Sequence, residues 1–455
     1  MPRIQKKLCV GFSRDTITPP LGINIPGHGM KPRIADGIIT DLYVSCIAFS
    51  DGKDKAVLFN CDALGITNNG YEQISKKVAE ACGLNPKSVY IACTHAHTAC
   101  WVNTANNDKT PDNAFQRRLH HVFCDTAKLA FEDLHPTRIK IARGEVKNVA
   151  FIRRYRMKDG SLVTNPATGD PNIADFDGIQ DESLQLVRFV REGAKEIVIA
   201  NFGTHPDVVC GRKYNYDWPG YTAEYLRSAF SGQVEAVVLN GASGDSNHMN
   251  RFWEKGHPYK GADFAQSIAR KIAGEALKIY DSATEIGANR VSFSVKVAQL
   301  EKNPYEPEEV PIAEKICQSV RETGDIAPEL LSYHMSYKKA ARILNNLTKP
   351  ERIPVNLFGL QVGNLAFIGF SGEPFCETGM EIKSHSPMDM TIITCRTGGS
   401  NGYFPTRRAY AGEGYEREYS SFGPSCSETL AETAREILEK MHRVALRKTA
   451  DASKK

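Results

Sequence analysis

The sequence predicts an α/β fold with a mostly parallel or mixed sheet and helices on both faces of that sheet. Two observations favour this class. Short runs of Val, Ile, Leu and Ala recur along the chain, and each ends abruptly in a polar, glycine-rich or histidine-bearing loop. A helical pattern follows most of these runs. Continuous apolar runs bounded by helices are typical of strands that are buried on both faces.

Six of these runs are predicted as strands: residues 55–60, 88–93, 196–202, 236–239, 365–370 and 391–395. The predicted helices cover about residues 69–82, 114–134, 220–230, 262–280 and 374–384. Ligands of open α/β sheets bind beyond the carboxyl ends of the strands. Because histidines, acidic residues and glycines follow these runs, we expect one shared functional site at that edge of the sheet.

A single catalytic domain is predicted from residue 8 to residue 446. Segment 149–177 is Arg-rich and then Gly/Pro/Asn-rich, which favours loops or a hairpin near the entrance of the site. The region 289–350 combines a strand-like alternation with a polar helical stretch, which favours a cap or an insertion. An amphipathic helix is predicted over 429–446, and residues 447–455 are predicted to be a disordered tail.

Composition argues against several classes of protein. The net charge is only +4 over 455 residues, and the basic residues are scattered, so no nucleic-acid partner is expected. No apolar run approaches the ~18 residues needed to span a bilayer. The 12 cysteines form no CxxC pair, and several lie in apolar runs, as in proteins of a reducing compartment. Since no apolar signal segment follows Met1, we predict a cytoplasmic protein.

A histidine pair, His95 and His97, follows the run 88–93. Histidines two positions apart on an extended segment face the same side. This spacing suits one metal ligand beside a second histidine that forms hydrogen bonds or transfers protons. Two ordinary polar loop residues are an equally good interpretation of this pattern alone.

Two further side chains follow other predicted strands. His205 comes after the run 196–202, and Glu373 comes after the run 365–370. Two histidines and one carboxylate are a common ligand set of catalytic zinc, with one position left for water. The alternative for Glu373 is a structural role at a helix start, where the helix dipole favours negative charge.

A loop of small residues, 241–248 (GASGDSNH), follows the run 236–239. It lacks the lysine of a phosphate-binding loop, so a tight turn with backbone N–H groups near a substrate oxygen is favoured. Asp217 precedes Trp-Pro-Gly and is predicted as the N-cap of the next helix.

Several segments resemble motifs of the neutral/alkaline ceramidase family, in the order of that family from about residue 8 to residue 440. They are VGFSRDTITPP (10–20), DGIITDL (36–42), THAHTA (94–99), GTHPD (203–207), SGEPFCETG (371–379) and NGYFPTRRAYAGEGYE (401–416). The resemblance implies the fold of that family's catalytic domain over residues 8–446.

The resemblance also implies residue roles. It implies a zinc ion held by His95, His205, Glu373 and Tyr403. His97 would lie beside the metal and contact the scissile group, and Arg153 and Tyr415 would line the site. Asp62 would be an outer partner of a ligand histidine.

One departure from the family lies in the loop after the fourth predicted strand. The ceramidases have a serine in a GDxSP-type sequence there, whereas this chain has Asn247 at that position and Ser246 one residue earlier. A covalent acyl-enzyme is therefore not expected, and attack by metal-activated water is favoured. The Asn247 amide is a candidate donor to the oxyanion.

The resemblance implies a zinc-dependent hydrolase that cleaves an amide or ester bond of a small or amphiphilic, lipid-like substrate. In this mechanism His97 transfers the proton, Tyr403 and Tyr415 donate to the oxyanion, and Arg153 anchors a polar or anionic substrate group. Long-chain ceramide is expected to be a poor substrate. Two alternatives stay open: an inactive metal-binding sensor, and a zinc lyase or isomerase acting on a sugar-like molecule.

Overall fold

The computed structural model describes residues 7–27, 32–106, 108–412 and 414–453, with the backbone alone from 444 to 453. Two main sheets organise the chain. Within the described residues, no helix is both long enough and apolar enough to cross a membrane.

The larger sheet is built from the part of the chain before residue 290. Its strands and the small strands around it are β1 (Cys9–Thr16), β2 (Gly37–Ile38), β3 (Tyr43–Ser50), β4 (Lys55–Cys61), β5 (Ala63–Ile66), β6 (Val89–Cys93), β7 (Cys100–Val102), β8 (His135–Glu145), β9 (Phe151–Ile152), β10 (Arg154–Met157), β11 (Leu162–Thr164), β12 (Ile173–Phe176), β13 (Ser183–Arg191), β14 (Glu196–Phe202), β15 (Lys213–Tyr214), β16 (Val234–Asn240), β17 (Ser246–Asn247) and β18 (Thr284–Ile286). The helices of this part are α1 (Asn68–Cys82), α2 (Pro111–Glu132), α3 (Asp217–Ala229) and α4 (Ala262–Tyr280).

The larger sheet has nine strands in the order β16-β14-β13-β8-β1-β3-β4-β6, with β18 paired to β8. The pairs β4·β6 and β14·β16 are parallel. The other neighbours in this sheet are antiparallel.

The smaller sheet belongs to the remainder of the chain. The strands of this part of the chain are β19 (Val291–Glu301), β20 (Arg352–Val362), β21 (Leu365–Phe370), β22 (Glu373–Pro374), β23 (Met390–Thr394) and β24 (Tyr403–Phe404). The helices are α5 (Glu309–Thr323), α6 (Tyr337–Leu347), α7 (Cys376–Ser384), α8 (Tyr415–Tyr419) and α9 (Cys426–Ser453). The smaller sheet has the order β19-β20-β21-β23, in which β21·β23 is parallel and the pairs β19·β20 and β20·β21 are antiparallel.

The alternation of side chains along β20 shows how the two sheets are stacked. Phe358 and Leu360 lie in the large core that also contains the main sheet and α1 to α4. Val355 and Leu357 point the other way, into a second core with α7 and α9. The smaller sheet is thus buried on both faces, and each large apolar side chain buried there contributes about 1.5–3 kcal/mol.

The helices begin and end at residues that suit these positions. The Thr67 hydroxyl accepts a hydrogen bond from the Gly70 amide at the start of α1. Gly83 ends the helix with a φ of 63°, a left-handed conformation that glycine adopts without strain. All five predicted helices are present within three residues of their predicted ends.

The predicted α/β class with a mixed sheet is confirmed, but the mostly parallel alternative is wrong. The six predicted strands are β4, β6, β14, β16, β21 and β23, and together they form the three parallel pairs of the two main sheets. Antiparallel strands join these pairs into the two sheets. A continuous apolar run indicates a strand that is buried on both faces. In this structure both helices and the second sheet bury the strands, so such a run does not require a mostly parallel sheet.

The region 289–350 divides into two parts. Its strand, β19, belongs to the smaller sheet, whereas α5 and α6 form a hairpin with a small core of its own. At the other predicted boundary, the backbone of α9 extends to Ser453, beyond the predicted helix end at residue 446. This covers most of the segment predicted as a disordered tail, and residues 454–455 lie outside the described part. Ala, Arg and Lys in this segment favour helix.

Candidate metal centre and active site

The carboxyl ends of the three parallel pairs carry the candidate residues. The segment after β6 carries His95 and His97, and the segment after β14 carries His205. The segment after β21 carries Glu373, and β23 is followed by Arg396. The predicted meeting of these chain segments at one edge is found in the structure.

The interpretation of the histidine pair assumes an extended segment after β6. The structure does not show an extended segment there. His95 has a φ of 71°, which lies in the left-handed region. A residue other than glycine in this conformation costs on the order of 1–3 kcal/mol and is held there by its surroundings. The Nε2 atoms of His95 and His97 nevertheless lie 3.3 Å apart, so both imidazoles face one point.

Backbone carbonyls set the tautomers of the two buried histidines. Nδ1 of His95 lies 2.7 Å from the Leu64 carbonyl oxygen. Nδ1 of His205 lies 2.8 Å and 2.9 Å from the carbonyl oxygens of Ser243 and Ser246. A carbonyl oxygen can only accept, so each Nδ1 carries a proton, and in the neutral imidazole the lone pair is on Nε2.

The third imidazole is held in the same way. Nδ1 of His97 lies 3.0 Å from the Gly27 carbonyl oxygen, which leaves its Nε2 facing His95. The three Nε2 atoms of His95, His97 and His205 lie within 4.8 Å of one another. Burial lowers the pKa of His95, which favours the neutral, metal-binding form of this imidazole.

A carboxylate completes this group of acceptors. Oε2 of Glu373 lies 3.3 Å from Nε2 of His95 and 3.0 Å from Nε2 of His205. This oxygen is buried and accepts no hydrogen bond from the described residues. Atoms about 2.0–2.1 Å from a tetrahedral zinc ion lie about 3.3 Å from one another. Lone pairs at this spacing, without a proton between them, fit a bound cation.

The second oxygen of Glu373 forms an ion pair with the Arg396 guanidinium. Burial alone would raise the pKa of this carboxyl, but Arg396 and His95 lower it well below its usual range. Glu373 is therefore a carboxylate at neutral pH. No role is predicted for Arg396 from the sequence, although this residue directly follows the predicted strand 391–395.

Arg153 approaches the same point from β9 and β10. Its Nε donates to Glu416 at 2.7 Å, and its Nη2 donates to the Gly244 carbonyl at 2.7 Å. Arg154 binds the other oxygen of Glu416 at 3.2 Å and Asp177 at 3.1 Å. These side chains form a buried ionic network that fixes Arg153 beside the histidines.

Three tyrosines, Tyr403, Tyr415 and Tyr419, lie together beside the histidines, and the Tyr403 ring stacks on that of His205 with 6.4 Å between the centroids. The ring centroid of Tyr403 lies 5.7 Å from that of Tyr415 and 5.8 Å from that of Tyr419. Burial and the nearby Glu373 raise the pKa of Tyr403 well above its usual range, although Arg153 opposes this effect. Burial likewise raises the pKa of Tyr415 to about 12. Both phenols are protonated at neutral pH and can donate hydrogen bonds.

These groups surround a cavity of about 650 Å³. It contains His95, His97, His205, Glu373, Arg153, Tyr403 and Tyr415, which the sequence had singled out. The other lining residues were missed: Gly27, Leu64, Trp101, Asn165, Asp207, Tyr337, Lys338, Arg396 and Tyr419.

Asn247 does not line the cavity, although the sequence made it a candidate oxyanion donor. Its amide nitrogen donates to Asn165 at 2.8 Å, and Asn165 lines the cavity instead. Ser246 also points elsewhere, because its hydroxyl donates to Gln180 at 2.6 Å. Ser246 contributes its carbonyl oxygen, which holds His205.

Two aspartates have structural partners. Asp62 accepts a hydrogen bond from the Tyr43 amide at 3.0 Å, so the outer partner of His95 is the Leu64 carbonyl and not Asp62. Asp217 is the first residue of α3, one position after the N-cap, and accepts from the amides of Val209 and Trp218.

Comparison with known proteins identifies the fold. No protein-family model matches the sequence, and no curated protein matches it. The structure is similar to neutral ceramidase from Pseudomonas aeruginosa, with a TM-score of 0.72 and 15% identity over 97% of this chain and 75% of that chain. It is also similar to a ceramidase complexed with C2, with a TM-score of 0.69 and 14% identity over 97% and 76%. The chain therefore has a neutral ceramidase-like fold, which extends over nearly its whole length and confirms the fold that the motifs predict.

Proposed function

We propose that this chain is a metal-dependent hydrolase that cleaves an amide or ester bond, with the amide preferred. The observation that carries this proposal is the group of acceptor atoms from His95, His97, His205 and Glu373. Their lone pairs converge at 3.0–3.3 Å, and carbonyls hold the imidazole protons away from that point. Similarity to the ceramidases supports the choice of a carbon–nitrogen bond.

The proposed ligands are His95, His205 and Glu373, with Tyr403 as the fourth protein group. The first three are at most 1% exposed, and one oxygen of Glu373 faces both imidazoles. Tyr403 is adjacent because β24 pairs with β22 and places it beside Glu373. A zinc ion held there would supply Lewis acidity toward the substrate carbonyl and toward an attacking water.

His97 is proposed to move the proton. It is less buried than His95, and its Nδ1 proton is held by the Gly27 carbonyl. Its Nε2 can therefore take a proton from the attacking water and deliver it to the leaving nitrogen. Such a group near a metal centre contributes about 10²–10⁴-fold to the rate.

Tyr403 and Tyr415 are proposed to donate hydrogen bonds to the oxyanion that forms at the carbonyl carbon. Arg153 lies with its guanidinium carbon 5.2 Å from the Tyr403 ring centroid, and its positive charge favours negative charge nearby. Glu416 and the Gly244 carbonyl hold Nε and Nη2 of Arg153, and its guanidinium also forms a hydrogen bond with the Tyr403 side chain, so Arg153 would also position Tyr403. The anchoring of a polar or anionic substrate group, which the sequence analysis expects of Arg153, stays a prediction.

The test is a panel of N-acyl amino acids, N-acyl amines, long-chain ceramide, lactones and simple esters. We expect at least one amide to be turned over by the zinc-loaded protein, with activity lost on chelation and restored by zinc. Binding without turnover of any amide or ester would favour the sensor. An elimination or isomerisation product from a sugar-like molecule would favour the lyase or isomerase.

Ser246→Ala is expected to retain most of the activity, at a cost of about 0.5–1.5 kcal/mol. The substitution removes the hydroxyl bonded to Gln180 but keeps the carbonyl that holds His205. Steady-state kinetics check this. A covalent acyl adduct on Ser246, found by mass spectrometry of protein quenched during turnover, would contradict attack by water.

A further inference from the structure

A lysine from the α5–α6 hairpin reaches into the catalytic cavity. Lys338 lies in the first turn of α6 and lines the cavity together with Tyr337. Its Nζ lies 5.0 Å from the ring centroid of Tyr419, so an aromatic face covers one side of the ammonium group. A residue of the helical hairpin thus shares one cavity with the candidate metal ligands.

The other two cations in this cavity are neutralised by carboxylates. Arg153 pairs with Glu416, and Arg396 pairs with Glu373. Among the residues that the structure describes, no carboxylate forms an ion pair with Lys338. Lys338 is half-buried, and a cation–π contact recovers only part of the hydration that its ammonium group loses.

The acidic residues nearest to Lys338 along the chain and in α8 are engaged elsewhere. The next residue, Lys339, takes Glu309 as its ion-pair partner at 2.5 Å. Glu418 accepts a hydrogen bond from the Ser336 hydroxyl at 2.6 Å. Burial lowers the pKa of Lys338, with no opposing effect from an acidic group. An anion inside the cavity would stabilise this charge.

We propose that the substrate carries an anionic group that Lys338 binds, so that the enzyme acts on acidic amides. This inference rests on the proposed function and names its substrate class. A carboxylate and a phosphonate share the required chemistry, because both present negatively charged oxygens to an ammonium donor. Lys338 is then a specificity-determining residue, distant in sequence from the catalytic histidines.

The test uses three amides with one acyl chain: N-hexanoylglycine, N-hexanoyl-aminomethylphosphonate and the neutral N-hexanoyl-propylamine. For each zinc-loaded protein we compare kcat/KM for the acidic amides with kcat/KM for the neutral amide. Lys338→Met is expected to lower this ratio about 10- to 100-fold, since a hydrogen bond to a charged group has that magnitude. The loss should lie in KM, and Lys338→Arg should recover most of it.

Lys339→Met is the matched control, because it removes a lysine one residue away that pairs with Glu309. This variant should leave the ratio unchanged. An unchanged ratio in Lys338→Met, or equal effects in both variants, would overturn the inference while leaving the hydrolase intact. If none of these amides and none of the amides and esters of the wider panel is cleaved, the proposed function fails. In that case, calorimetric titration with N-hexanoylglycine tests the role of Lys338 without turnover, and weaker binding to Lys338→Met than to wild type is expected. Binding that is equal in wild type and Lys338→Met, or absent from both, would overturn the inference.

Discussion

His95→Ala is expected to abolish metal binding and hydrolysis together. Nε2 of His95 lies 3.3 Å from the Glu373 carboxylate, and its removal takes away one of few protein ligands. Loss of an outer hydrogen-bond partner already weakens metal affinity by about 10–100-fold, so loss of a ligand should exceed about 100-fold. Competition with a chromophoric zinc chelator measures this affinity.

His97→Ala is the matched variant, two residues away in the same cavity. We expect it to keep zinc and to lose about 10²–10⁴-fold in kcat, because we assign His97 to proton transfer. If both variants lose metal equally, His97 is a ligand. Its Nε2 lies 3.3 Å from that of His95, so the assignment depends on this comparison.

Glu416→Ala is expected to destabilise the fold by about 3–5 kcal/mol. The Glu416 side chain is fully buried and pairs with both Arg153 and Arg154. Its removal leaves buried guanidinium groups with less negative charge around them. Chemical denaturation measures the free energy of unfolding. Glu428→Ala, which breaks the exposed ion pair with Arg407, should change little.

The pH dependence of stability tests the same network. Burial alone would raise the pKa of Glu416, but Arg153 and Arg154 lower it below its usual value. The contribution of the ionised Glu416 to the free energy of unfolding is therefore complete above its unfolded-state pKa of about 4.3. This contribution is lost as the pH falls through the pKa of Glu416 in the folded protein. The stability difference between wild type and Glu416→Gln should shrink in acid below about pH 4.3. A difference that grows in acid would contradict the ion pairs.

The sequence identified the parallel strands because burial on both faces leaves an unbroken apolar run. Strands such as β1 and β19 mix polar and apolar residues, with partly exposed positions, and they carry a weaker pattern. Pairing them into two sheets depends on contacts between distant parts of the chain. For example, Val291 of β19 pairs with Val362 of β20 across 71 residues. No local pattern contains that information.

In the candidate site, the sequence identified side chains whose chemistry is visible at a strand end. It missed groups that act through the backbone, such as the Leu64 and Gly27 carbonyls that orient His95 and His97. Asn247 is a candidate in the sequence analysis because it aligns with a family serine. The direction of its side chain follows instead from the pairing of β17 with β9, which the motif does not contain. The signal for Arg396 was present, since it directly follows a predicted strand.

Metal content of the purified wild-type protein tests the central claim most directly. Elemental analysis by inductively coupled plasma mass spectrometry should find one zinc per chain, either as isolated or after reconstitution with zinc and removal of the excess. This result is expected because Oε2 of Glu373 lies 3.3 Å from Nε2 of His95 and 3.0 Å from Nε2 of His205, a spacing that suits the ligands of one zinc ion. Protein that holds no transition metal, and gains none on reconstitution, would contradict the account.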